Sequence, residues 1–199
     1  MTVEVRPAGP DDVPALAAIH RRAFPSDPLA RLGRRFLERA FYPAAVVHPL
    51  ARCFLASLDG RPIGFHLCAL DHTRFHERIF PATRWSLAAA LASRPRLWAF
   101  AARHAIDRLA ARDSPPWAGE PEVFLVAVDP EARRLAPIGA RRLIHAGWDW
   151  LRAEGRTTCV AHIEEGYEPG LRIARGCGMR DVGSERRGGR TFVVLRKML

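Results

Sequence analysis

The chemistry legible in this sequence starts with a basic loop that runs into a helix. Residues 133–137 include Arg133, Arg134 and Pro137; Ile138 and Gly139 follow, and Arg141 and Arg142 add charge close by. The first turn of a helix presents unpaired N–H groups and the positive end of its dipole. Gly139 removes a side chain where a ligand must approach closely. A phosphate or pyrophosphate fits such a place. The competing reading is an ordinary strand–helix connection with a solvated arginine surface. Two histidines four residues apart, His72 and His76, followed by Glu77, could share a helix face and bind a metal. No further ligands match them, so no metal is expected. Cys53, Cys68, Cys159 and Cys177 contain no C-x-x-C pair, and three lie in strand-like apolar runs. They read as buried thiols, not as a disulfide framework or a zinc site.

The elements that must position these groups follow from periodicity. Residues 123–128 form an apolar, β-branched run of strand length, which Asp129 and Pro130 stop. From Ile138 the pattern is helical, with Leu143, Ile144, Gly147, Trp148, Trp150 and Leu151 on one broad face and Gly155 at the C-terminal end. Upstream, residues 2–6 read as a strand. A helix capped by Asp11 or Asp12 carries Val13, Leu16, Ile19, His20 and Phe24, and a second helix spans 29–42. Residues 52–58 and 62–70 are hairpin strands joined by Asp59-Gly60. His66, in the second of them, reads as a core or surface histidine. Downstream, 157–163 is a strand, 171–176 a short helix, and 179–185 with 191–195 a terminal hairpin.

Residues 71–120 stand apart. They are too many for a connection without its own structure. Within them, 84–112 is rich in Ala, Leu and Arg and reads as helices broken near Arg94-Pro95. The expectation is a helical hairpin packed on the domain, shaping a pocket. The alternative is an amphipathic surface that touches membranes.

Composition bounds the rest. The 199 residues suit one domain, 1–199, and 48% apolar content argues against disorder. Net charge is +10, nearly all from arginine, with Lys197 the only lysine. Such charge attracts anionic cofactors, nucleic acid or anionic lipid without choosing among them. No apolar signal segment or bilayer-length run occurs, so the reading is a cytoplasmic protein without stable membrane insertion.

The order of these elements and motifs resembles the GNAT superfamily of N-acetyltransferases. Its acyl-CoA motif is a strand ending in V-x-P, then Arg or Gln, two residues, and G-x-G opening a helix. Val128-Asp129-Pro130 matches the start, and Arg134, Pro137 and Gly139 occupy the R-x-x-G-x-G frame. Proline replaces the first glycine and removes one N–H donor; the loop is also one residue longer. The opening strand with its acidic helix cap, the D-G hairpin and Cys177-Gly178-Met179 after the last helix follow the same order. The resemblance covers nearly the whole chain except 71–120.

The resemblance implies an α/β fold, a mixed central sheet flanked by helices, with a helical insertion at 71–120. It implies transfer of an acyl group, acetyl first, from acyl-CoA to an amine, here on a small molecule, without metal or nucleic acid; a homodimer is left open. Ala127 and Val128 would pair with the pantetheine arm. Arg133, Arg134, Ile138, Gly139 and Ala140 would hold the pyrophosphate. Glu122 stands six residues before Val128, where some family members carry a catalytic glutamate; partly desolvated in a cleft, it would act as general base. His162, on the neighbouring strand, is the next candidate. The family's thiolate-protonating tyrosine is replaced by Ala174 and the motif's asparagine by Tyr167, which is the substitute acid by residue type. A silent CoA-binding module and a charge-driven nucleic-acid or membrane-surface binder are the rival classes.

Overall fold

The computed structural model describes residues 3–99, 102–103, 116–187 and 189–199, without the side chains of 133–137. Seven strands form one sheet: β1 (Val3–Pro7), β2 (Ala51–Leu58), β3 (Arg61–Ala69), β4 (Glu122–Val128), β5 (Thr158–Glu164), β6 (Arg180–Arg187) and β7 (Arg190–Met198). Their order is β1-β2-β3-β4-β5-β7-β6. Only β4 and β5 run parallel; every other pair is antiparallel. The β2–β3 turn has positive φ at both central residues, Asp59 at 48° and Gly60 at 79°. That twist matches the flanking strands, as an Asp-Gly turn should.

Side chains alternate between the two faces of the sheet. Cys53, Leu55, Phe65 and Leu67 meet α1 (Val13–Ala23) and the helices that follow it. Phe54, Ile63 and Cys68 face the other way, toward Leu143 of α7 (Ala136–Ala153). On that same side Ile144, Trp148 and Leu151 of α7 pack with Cys159, Ala161 and Leu195, together with Leu171 and Ala174 of α8 (Glu168–Gly176).

The single helix expected over 29–42 is instead a broken run: α2 (Pro28–Arg31), α3 (Arg34–Phe36), a π turn at Leu37–Phe41 and α4 (Tyr42–Val46). Gly33, at φ 92°, interrupts it. Pro43 then has no N–H for the α-helical ladder, and the preceding turn widens to π spacing. The insertion opens with α5 (His72–Ala82), capped by Asp71, which accepts from Arg74 N at 2.9 Å. Phe75 and Ile79 of α5 are buried in the core shared with α1 and α4. After Thr83 comes α6 (Arg84–Ala92), and a 3-10 turn at Pro95–Leu97 marks the expected break at Arg94-Pro95. Residues 104–112 of the expected helical stretch lie outside the described residues. No described helix is long and apolar enough to cross a membrane.

Helix α7 begins at Ala136, two residues before the expected start. Its contact with β3 is set by Gly147. His66 of β3 is fully buried, and its Nδ1 donates to the Leu143 carbonyl at 2.8 Å. A carbonyl can only accept, so this nitrogen carries the proton. Burial lowers the His66 pKa to about 4, keeping the ring neutral. A Cβ at position 147 would overlap the His66 ring. Gly147→Ala is therefore expected to lower stability by about 1–3 kcal/mol, the usual cost of overpacking. Denaturant midpoints of the two proteins would measure it, and equal midpoints would refute this account of Gly147.

Candidate active site

The sheet contains an open seam. Strands β4 and β5 pair through only two positions, Glu122 with Val160 and Val123 with Ala161. Beyond Val123 no described β4 residue pairs with β5. The register of β4 against β3 also slips between Leu67 and Cys68, leaving Phe124 as an extra residue. A bulge of this kind bends the strand and re-aims its side chains. The seam therefore widens toward Val128, with the peptide groups of 124–128 that face β5 lacking a strand partner.

At the wide end stands the loop expected to bind an anion. Asp129 is buried and held by Arg22 of α1, with Nη2 2.5 Å from Oδ2; its Oδ1 accepts from Glu131 N at 3.1 Å. Burial alone would raise the Asp129 carboxyl, but the Arg22 hydrogen bond holds it below its ordinary value. A 3-10 turn, Pro130–Leu135, then leads into α7. Ile138 is exposed on the first turn of α7, while Gly139 and Ala140 are buried. A Cβ at Gly139 would meet Ile63 and Val128 at ordinary contact distance, so the backbone here lies close to the mouth of the seam. Arg142 is turned away and donates to the Val3 carbonyl. The Arg133 and Arg134 side chains lie outside the described residues.

At the closed end lies a buried polar cluster. Glu122 is 2% exposed. Its Oε1 is 2.6 Å from Nδ1 of His162, and its Oε2 touches Nδ1 of His72. Neither of the latter two atoms has another hydrogen-bond partner among the described residues. Arg187 bridges the far sides of both rings: Nη2 lies 3.1 Å from His162 Nε2, and Nη1 3.4 Å from His72 Nε2. Glu185 clamps the guanidinium, with its Oε2 2.9 Å from Arg187 Nη2, and takes a further bond from Trp117 Nε1 at 2.8 Å. The His72 ring stacks near His76, with centroids 4.3 Å apart.

Electrostatics keep both imidazoles neutral. Burial lowers His72 first, then the proximity of His76, Arg187 and His162. Burial also dominates the lowering of His162, with Arg187 adding to it. Burial would raise the Glu185 carboxyl, but its contacts with His162 and Arg187 hold it well below its ordinary range.

Of the residues singled out for catalysis, Glu122 and His162 come together and Tyr167 does not join them. Tyr167 precedes α8 and is 48% exposed. Its ring lies edge-on to Phe24 and covers Gly170. Ala174 is buried against the α7 side of the sheet. The sequence reading had considered His72 only as a metal ligand beside His76; no described group of residues has the arrangement of a metal site. Glu185, Arg187 and Trp117 were not singled out at all. His72 comes from the insertion, and Glu185 and Arg187 from the last hairpin. The insertion also reaches that hairpin at Gly183, where a Cβ would meet the Trp117 ring at 3.1 Å, and at Gly189, which lies against Arg103.

No family model and no curated protein matches the chain in sequence. Solved structures match over the full length. The PaiA N-acetyltransferase of Thermoplasma acidophilum, in complex with coenzyme A, superposes with a TM-score of 0.66 at 11% identity, covering 100% of both chains. A GNAT-family acetyltransferase of Bacillus cereus gives 0.61 at 10% identity, covering 100% of this chain and 98% of the other. The ribosomal-protein-S18-alanine N-acetyltransferase of Escherichia coli gives 0.60 at 14% identity, covering 98% and 92%. With its mixed seven-stranded sheet opened between two parallel strands, the chain has the GNAT acetyltransferase fold.

Proposed function

We propose that this protein is an N-acyltransferase that passes an acyl group, acetyl first, from acyl-CoA to an amine of a small molecule. The observation that carries the reading is the seam between β4 and β5 with Glu122 and His162 at its closed end. A pantetheine arm is a slender chain of amides and methylenes. The unpaired peptide groups around Ala127 and Val128 suit it as a strand would. Its pyrophosphate would then meet the first turn of α7 at Ile138, Gly139 and Ala140, with Arg133 and Arg134 supplying charge. A coenzyme A complex of one structural neighbour supports the choice of ligand.

The reaction needs a free amine. Its nitrogen attacks the thioester carbon, the C–S bond breaks, CoA leaves as the thiolate and the amine gives up a proton. Glu122 supplies the negative charge that draws that proton, with His162 in contact with it. A small acceptor is supported by crowding: Trp117, Glu185, Arg187 and α5 all close on this end of the seam. One neighbour is named for a protein substrate, so acceptor size is the point to test. Ala174, which has no hydroxyl, is the observation that favours a silent CoA-binding module instead. Release of free thiol from acetyl-CoA with a panel of amines decides between the two readings.

Two variants test the assignment of the ends. Ile138→Glu places a carboxylate at an exposed position on the first turn of α7. It should weaken CoA binding about tenfold or more while leaving the fold intact. Equal affinity by calorimetry would move the pyrophosphate elsewhere. Glu122→Gln should leave CoA affinity unchanged and lower turnover by about 10²–10⁴-fold, the range for loss of general-base assistance through the Glu122–His162 pair. Part of that loss should return at high pH, where more of the amine is free. An unchanged rate across the pH range would remove Glu122 from the chemistry.

A further inference from the structure

The buried cluster holds more information than the Glu122–His162 pair. A guanidinium can only donate hydrogen bonds. Arg187 lies against Nε2 of both His162 and His72, so each of those nitrogens must offer a lone pair. Both rings are kept neutral by burial, as described above, and a neutral imidazole carries one proton. That proton must then sit on Nδ1 in each ring. Both Nδ1 atoms contact Glu122, one on each carboxylate oxygen. Arg187 at the Nε2 side and Glu122 at the Nδ1 side thus demand the same proton position in both histidines.

We propose that Arg187 is the positioning residue of this centre: it holds His162 and His72 as Nδ1–H tautomers, so that His162 Nε2, not a Glu122 oxygen, receives the proton of the acceptor amine. This rests on the acyl-transfer reading for its catalytic half only. Both oxygens of Glu122 are engaged, and its side chain is 2% exposed. Each oxygen already faces an imidazole Nδ1. Among the described residues His162 Nε2 has the Arg187 contact and, farther off at 3.4 Å, Glu185 Oε2; its side chain is 5% exposed. That oxygen already accepts from Arg187 and Trp117, so it competes poorly for a proton in the resting state. The cluster contains two carboxylates, Glu122 and Glu185, against one guanidinium, with His72, His76 and His162 around them. A proton arriving on His162 Nε2 makes an imidazolium with a carboxylate on each side. Glu185 then takes the new N–H, and Glu122 keeps the old one. The balance is complete: the amine loses one proton, His162 gains it, and the thiolate leaves with its electron pair.

Nitrogen-15 spectra of the histidine side chains in the free, full-length protein read the tautomers directly. At neutral pH both His162 and His72 should show a protonated Nδ1 and an unprotonated Nε2. In Arg187→Ala the constraint at Nε2 is lost while that of Glu122 at Nδ1 stays. His72, whose Nε2 then has no donor against it among the described residues, should gain a measurable Nε2–H population, and the acidic limb of kcat/KM should move up by about one pH unit, because the cation that disfavours His162 protonation is gone. Arg187→Lys keeps the charge but cannot span both rings. It should return the pH limb toward the parent without fixing His72. A protonated Nε2 on either ring of the parent protein overturns the proposal, as does an Arg187→Ala variant with unchanged tautomers and an unmoved limb. Should no amine be acylated, the acyl-transfer reading falls, while the spectra still decide the role of Arg187.

Discussion

Everything in this molecule turns on a pairing that stops early. Parallel strands inside a sheet normally satisfy their peptide groups along their whole length. Here β4 and β5 do so for two positions and then part. The bulge at Phe124 bends β4, and helices fill both faces of the sheet, so the open peptide groups cannot be covered by a neighbouring strand. An internal edge of this kind is costly unless water or a ligand meets it. The same parting separates two sites of opposite character. The wide end has backbone donors and a helix start suited to an anion. The narrow end has a buried carboxylate.

Burying Glu122 has its own cost, since an isolated carboxylate in the interior is unstable. Three segments far apart in the chain offset it. The insertion contributes His72, β5 contributes His162, and the last hairpin contributes Glu185 and Arg187. None of these would be tolerated there alone, because each leaves a buried polar group in need of the next. The insertion is thus part of the centre's electrostatics as well as a wall beside it. That also explains why α5 is anchored by Phe75 and Ile79 in the core, so that His72 cannot drift from the carboxylate.

Much of the scaffold was legible in the chain. Asp59-Gly60 specified its hairpin, the run before Asp129-Pro130 its strand, and the spacing from Leu143 to Leu151 its buried helix face. These signals are local and periodic. Helix boundaries were less legible, because Gly33 and Pro43 act through backbone geometry that side-chain spacing does not report. Glu122 was singled out through the family resemblance and His162 through its place on the neighbouring strand, and the fold brings the two into contact. Arg187 was not singled out, since an arginine near the end of an exposed-looking hairpin strand has the same local signal as any solvated charge. Its role exists only in the fold, through the two ring nitrogens it joins. His72 was visible as a histidine one helical turn from His76, which it does lie beside, but the glutamate it also touches comes from across the domain.

The same network bears on the missing tyrosine. A thiolate is a competent leaving group, and its protonation can follow bond cleavage instead of accompanying it. For the proposed acyl transfer the harder requirement is removal of the amine proton. Among the described residues the cluster carries one more carboxylate than guanidinium, with His72 and His162 neutral. The proposed acyl transfer would bring it one proton from the amine. Under the proposed reaction a centre arranged in that way would accept that proton on His162, and position 174 is left to the packing of α8, where Ala174 is buried.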